Sequence, residues 1–211
     1  MVKRFQQKRV NIAIFASGSG SNFEAIVKYI RKGKIKNASV KLLITDKKDA
    51  FVRQRAKKFG IKDFFIDPSK FTSRLSYEKR IFKILKSEGI DLIVLAGFMR
   101  ILSPYLVKKY KNKILNIHPA LLPAFKGTEA IRRAFKYGVK ITGVTVHFVD
   151  EKVDHGPIIL QEAIKIKPSD TLQILEQKIH KVEHRLYPLA IKLFIEKKLK
   201  IKGRKVEIIN E

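Results

Sequence analysis

Leu92-Ile93-Val94-Leu95-Ala96 carries no polar side chain. A run this short and this apolar reads as a strand buried on both faces, and helices packed above and below a sheet bury a strand that way. The neighbouring segments keep the same grammar. Val10 to Ala16, Val40 to Thr45, Ile61 to Ile66 and Ile114 to Ile117 are strand runs, while Asn22 to Arg31, Ala50 to Phe59 and Leu75 to Ser87 have helical periodicity. Ser103-Pro104 opens a further short helix with proline in its first turn. This alternation predicts an α/β fold: a Rossmann-like open, mostly parallel sheet flanked by helices, with ligands gathered at the strand C-termini. Nearer the C-terminus, Gly143 to Val149 and Ile158 to Ile166 follow each other across a polar loop and predict antiparallel strands. A long last helix is expected to start at a cap on Ser169 or Asp170. Its apolar stripe is Leu172, Leu175, Ile179, Val182, Leu186, Leu189 and Leu193, with a kink expected at Pro188. Ile201 to Val206 reads as a small terminal hairpin.

The 211 residues, 45% of them hydrophobic, suffice for a single domain spanning 1–211, with no repeat, linker or low-complexity segment to divide it. No run approaches the roughly 18–20 apolar residues of a membrane span. The basic start Met1-Val2-Lys3-Arg4 leads into a strand without the apolar core of a signal peptide. A cytoplasmic protein with no membrane partner is expected. The absence of cysteine removes disulfides, thiol catalysis and thiolate metal sites. The formal charge of +27 invites a nucleic-acid reading. Its lysines and arginines are, however, spread through nearly every segment, and the densest run, residues 196–202, comes with no helix-turn-helix, zinc finger or aromatic platform. No specific nucleic-acid partner is expected. The basic surface would instead draw small anions, with screening over roughly 8 Å at physiological salt.

Ser17-Gly18-Ser19-Gly20-Ser21-Asn22 follows the first strand and opens the first helix, where backbone N–H groups and the helix dipole favour an anion. Asp46 ends the second strand where a dinucleotide site keeps its ribose-binding acid, but Phe23 stands where such a site needs a third glycine. A single phosphate fits this loop better than a pyrophosphate, with a tight turn and no ligand as the plainer alternative. Asn116-Ile117-His118-Pro119 sets an amide and an imidazole on one side of a strand end, and Pro119 and Pro123 stiffen the exit. Downstream, Asp150, Glu151 and Asp154 put three carboxylates within five residues. An amide for an oxyanion, an imidazole titrating near neutrality and a carboxylate to balance it are the parts of an acyl-transfer site without a covalent nucleophile. His147, Asp150, Asp154 and His155 match no usual zinc or iron spacing, so no metal is expected. His147 reads as a buried strand residue and His155 as a solvent-facing loop residue. His180, Glu183 and His184 fall within about one turn of the last helix, where exposed polar residues are the ordinary outcome.

Gly18–Asn22, Leu95–Pro104, Asn116–Pro123, Thr145–Gln161 and Glu183–Pro188, in this order and over the whole chain, resemble the phosphoribosylglycinamide formyltransferase family. Its members are folate-dependent enzymes of purine (IMP) synthesis. Five segments in order are a specific signal, whereas any one alone is weak. The resemblance implies two small-molecule partners, 5'-phosphoribosylglycinamide as acceptor and 10-formyltetrahydrofolate as formyl donor. It implies that Gly20, Ser21 and Asn22 hold the substrate phosphate and that Glu183 contacts the ribonucleotide. Arg74, Met99, Arg100, Ile101, Leu102 and Asn116, with Asp150, Glu151, Lys152, Val153 and Asp154, would border the formylfolate. Asn116, His118 and Asp154 would carry the chemistry. Whether the chain works alone or as a homodimer stays open. Lys126, Glu129, Ile131 and His155 depart from residues found in other members, which touches loop detail rather than the reaction.

On this reading a phosphate anchored at the first helix brings the glycinamide amine to the formyl carbon. Asn116 and a protonated His118 stabilise the oxyanion, and His118 or a linked water protonates folate N10. Asp154 is expected to raise the His118 pKa above its ordinary value of about 6.5. Two cousins, methionyl-tRNA formyltransferase and formyltetrahydrofolate hydrolase, share the cassette, each with an additional domain for which this length leaves no room. An RNA-binding protein on the same fold, and a nicotinamide oxidoreductase using Asp46, are the alternatives from other classes.

Overall fold

The computed structural model describes residues 9–209. The basic start Met1-Val2-Lys3-Arg4 lies outside the described residues. Five strands, β1 (Val10–Phe15), β2 (Ala38–Thr45), β3 (Lys62–Phe65), β4 (Leu92–Leu95) and β5 (Ile114–His118), pair in parallel. Two more, β6 (Ile141–Phe148) and β7 (Ile158–Lys165), join antiparallel, giving the spatial order β3-β2-β1-β4-β5-β6-β7. The chain winds outward from β1 to β3 and then returns to β4 on the other side of β1. That reversal leaves a crevice at the C-terminal ends of β1 and β4, where open α/β sheets bind ligands.

Alternation along the strands explains why both faces of the sheet are dry. Leu92 and Val94 of β4 enter one core with Ile12, Ile14, Phe23 and Leu115, while Ile93 and Leu95 enter a second core on the opposite face with Phe15, Ile81 and Leu106. Helices α1 (Ser21–Arg31) and α6 (Leu172–Ile195) cover the first face, and α3 (Arg74–Ser87) and α4 (Pro104–Lys109) the second. Each fully buried Leu, Ile or Val contributes about 1.5–3 kcal/mol, and Leu92, Ile93 and Val94 of β4 have no exposed surface. Helix α2 (Val52–Lys58) follows β2, and the hairpin β8 (Leu199–Lys202) with β9 (Lys205–Ile208) packs Leu199, Ile201 and Val206 against the first core.

The last helix differs from its sequence reading in its cap and in its buried face. Thr171 caps it, its side-chain oxygen accepting from Ile174 N–H at 3.2 Å, while Asp170 is occupied by Lys167 N–H and Lys178. The helix continues through Pro188, and Leu189 of the expected stripe is 40% exposed because the buried face rotates onto Tyr187, Ala190 and Ile191. Helix α5 (Ala130–Tyr137), between β5 and β6, has no counterpart in the sequence reading. Only Ala130 and Ala134 of it are fully buried, and its N-cap Glu129 sits at φ +54° without a side-chain cap.

Tyr187 joins α6 to the two strands at the crevice. Fully buried, its hydroxyl lies 2.9 Å from both Leu95 O and Leu115 O. Removing that hydroxyl leaves two buried carbonyls short of a donor. Tyr187→Phe is expected to lower unfolding free energy in urea titrations by about 1–3 kcal/mol; an unchanged midpoint would show the hydroxyl to be dispensable.

Candidate active site

The register of β5 against its antiparallel partner β6 sets Asn116 opposite His147 and His118 opposite Thr145. His147 is buried. Its Nδ1–H donates to Phe148 O at 2.7 Å, so Nε2 is left to accept from the Asn116 amide at 3.1 Å. The same amide donates to Asp154 Oδ1 at 3.3 Å. The other carboxylate oxygen of Asp154 accepts from Gly127 N–H at 2.7 Å and lies 3.4 Å from His118 Nδ1. A carbonyl can only accept, so His118 Nε2 carries a proton and donates to Phe125 O at 2.9 Å. Asp154 thus touches both Asn116 and His118, its carboxylate lying between amide and imidazole.

The direction of the imidazole's titration corrects the sequence reading. His118 is 4% exposed, and burial pulls its pKa below the ordinary value; Asp154 and the Phe125 carbonyl pull upward without overcoming it. The ring is therefore neutral over a wider pH range than a free histidine, and its Nδ1 lone pair faces the carboxylate. For Asp154, burial would raise the pKa, but neighbouring His147, the Gly127 N–H and His118 together bring it below the usual carboxylate value. An ionised carboxylate beside a neutral base is the resting arrangement.

A cavity of about 390 Å³ opens over this cluster, between residues 98–102 on one side and 150–154 on the other. Met99, Arg100, Ile101, Leu102 and Asn116 all line it, as do Asp150, Glu151, Lys152, Val153 and Asp154. Arg74 is not part of the wall and instead donates to Ile101 O at 3.3 Å from outside. The 98–102 segment is pinned at both ends. Asp46 accepts from Ser17 Oγ at 2.6 Å, and that hydroxyl accepts from Met99 N–H at 2.9 Å. At the far end, buried Glu78 accepts from Ser103 N–H at 2.6 Å and from the Ser103 hydroxyl. Between these anchors Met99 and Ile101 stand 65% and 57% exposed, an apolar edge beside the cavity. Asp46 thus serves as a brace, a role different from ribose binding.

Gly20 caps α1 at φ +75°, and a Cβ there would meet Val52 Cγ2 at 2.4 Å, so only glycine lets α2 pack this closely on the loop. The next residues of that turn face α6. Asn22 Nδ2 donates to Glu183 Oε2 at 3.0 Å, an oxygen that also meets His180 Nδ1 at 2.9 Å. Glu183 is 5% exposed, against the exposed face that polar helix residues ordinarily take, and its charge reaches His118, which links the glycine turn to the imidazole. The buried Asn22 Oδ1 finds no donor among the described residues. Gly20, Ser21, Asn22 and Glu183 lie outside the wall of this cavity, and Ser21 borders a second, basic concavity between α1 and α6. His155 is not solvent-facing: it is half-buried and bonded to Asp150 and Arg204. Among the described residues no His, Cys, Asp and Glu group could hold a metal, and no helix is long and apolar enough to cross a membrane.

The sequence profile of the Formyl transferase family matches residues 10–191. The chain belongs to that family. This formyl transferase is 48% identical, over 85% of its length and 92% of the relative's, to the phosphoribosylglycinamide formyltransferase of Bacillus subtilis. It is 40% identical over 190 residues to the trifunctional purine biosynthetic protein adenosine-3 of Gallus gallus, of whose length it spans 19%. The crystal structure of glycinamide ribonucleotide transformylase 1 from Symbiobacterium toebii superposes with a TM-score of 0.95 at 43% identity, covering 98% of this chain and 97% of that one. The sequence reading of an open, mostly parallel sheet with antiparallel strands toward the C-terminus holds for this formyl transferase.

Sequence reasoning did not foresee that His147 would orient the Asn116 amide or that Gly127 N–H would anchor Asp154, because both depend on strand register and loop path. In NMR titrations the His118 ring is expected to titrate below about pH 6.5. Asp154→Asn removes the attraction that opposes burial, so the midpoint moves lower still. A midpoint that rises on this substitution overturns the electrostatic account.

Proposed function

We propose that this formyl transferase moves the formyl group of 10-formyltetrahydrofolate to the amine of 5'-phosphoribosylglycinamide, giving phosphoribosyl-N-formylglycinamide for purine synthesis in the cytoplasm. The observation that carries the reading is the Asn116–Asp154–His118 contact on the wall of the cavity between residues 98–102 and 150–154. The relatives' names support the choice of acceptor.

The ribonucleotide's phosphate sits on the backbone N–H groups of Gly20, Ser21 and Asn22 at the opening of α1. The carboxylate of Glu183, which Asn22 Nδ2 holds at 3.0 Å, receives its N–H or O–H groups. Folate takes the cavity between residues 98–102 and 150–154, with its rings against the apolar edge at Met99 and Ile101. The neutral amine then attacks the formyl carbon, a C–N bond forms, and the carbonyl electron pair moves to oxygen. The long 3.3 Å bond from Asn116 to Asp154 is the one exchanged for the oxyanion, while His147 keeps the amide in place. His118 accepts the proton shed by the attacking nitrogen at Nδ1, and Asp154 balances the imidazolium across 3.4 Å. Collapse of the intermediate breaks the bond from carbon to N10, which takes the proton from His118. A neutral resting imidazole suits this order, since it accepts first and donates second.

Purified protein given 10-formyltetrahydrofolate is expected to formylate glycinamide ribonucleotide and to leave methionyl-tRNA unmodified; the reverse outcome assigns it to the tRNA enzymes. His118→Ala and Asp154→Ala are each expected to lower turnover by about 10²–10³, with the KM for the ribonucleotide within about twofold of wild type. Near-normal turnover in either variant defeats the assignment of these roles.

A further inference from the structure

The loop at residues 150–154 is closed at its base by Phe148 N–H, which donates to Pro157 O at 2.9 Å. Gly156 lies so close to β6 that a Cβ there would meet Phe148 O at 1.9 Å. Inside the loop, Asp154 holds a left-handed φ of +45°, a conformation that residues other than glycine adopt only where their surroundings insist on it. The residue after it supplies that insistence. Arg204 Nη2 donates to His155 O at 2.8 Å and Arg204 Nη1 to His155 Nε2 at 2.9 Å. His155 Nδ1–H then donates to Asp150 Oδ2 at 2.6 Å. One guanidinium therefore grips both the backbone and the ring of His155, and the ring ties across the loop to its opposite end.

Arg204 stands in the two-residue turn between β8 and β9, beyond the segment matched by the family profile. The post is firm. Leu199, Ile201 and Val206 pack on the main core, and Ile209 N–H donates to Lys198 O at 2.9 Å. The carboxylate held through this arrangement is the one in contact with His118 and Asn116.

We propose that Arg204 and His155 are positioning residues that fix the Asp150–Asp154 loop, so that the C-terminal hairpin forms part of the formyl-donor site. The brace itself stands on geometry, and its effect on the donor rests on the proposed function. Neither residue is a catalytic group; both act through the backbone on either side of Asp154.

The test uses the full-length protein with Arg204→Ala, His155→Ala and the double variant, followed by amide hydrogen exchange and by initial rates with each substrate. Both single variants are expected to speed exchange in residues 150–156 about tenfold, as loss of a charge-assisted hydrogen bond would. His155→Ala keeps residues 199–208 protected, which separates a released loop from a melted hairpin. The KM for the formyl donor rises about tenfold, that for the ribonucleotide stays within about twofold, and the double variant is no worse than Arg204→Ala because the two residues act in series. Arg204→Lys, which supplies one point donor where a fork is needed, recovers only part of the loss. Unchanged exchange in both single variants overturns the brace. Faster exchange with an unchanged donor KM overturns the hairpin's place in the donor site, and with it the loop's part in the proposed function.

Discussion

The carboxylate of Asp154 is the meeting point of three groups from two stretches of chain, β5 and the loop after it. It receives the Asn116 amide from β5 and the Gly127 N–H from the loop after β5, and it faces the His118 ring across 3.4 Å. None of these groups could be buried alone at small cost, since an unpaired charge or amide away from water is strongly unfavourable. Each is tolerable because the others are there, so removing one disturbs all of them. The antiparallel pairing of β6 with β5 makes the arrangement possible by bringing His147 beside Asn116.

The electrostatics are a balance between burial and charge. The chain carries a formal +27, yet at its centre a carboxylate stays ionised and an imidazole stays neutral. Water exclusion sets the imidazole's state, and the neighbouring anion moderates it. Outside, the basic surface has the sign to gather phosphorylated and carboxylated small molecules, an effect that salt weakens.

Much of the fold could be read from the sequence because its strands are apolar on both faces. The run at Leu92 admits no other place than the middle of a covered sheet, and the helices between strands follow from their 3.6-residue stripes. Helix α5 escaped because it is only eight residues long: Ala130, Ile131, Ala134 and Phe135 do face the core, but they span barely two turns. At the candidate site, two-residue alternation put Asn116 and His118 on one side of their strand, and their contact with Asp154 needed the loop's path through Gly127. Periodicity alone could not separate Glu183 from an exposed helix polar; the family resemblance singled it out, and its burial and bond to Asn22 depend on how α6 packs on α1. The direction of the His118 shift was misjudged because sequence shows a charged neighbour but not how deeply both groups are buried.

That bond between Asn22 and Glu183 closes a span of 161 residues, from the start of the first helix to the middle of the last. A chain emerging from the ribosome can build its early strands and cores piecemeal, but it cannot pair these two side chains until the last helix has been synthesised. The turn that opens α1 therefore gains its final contact only after all seven strands of the sheet have been made.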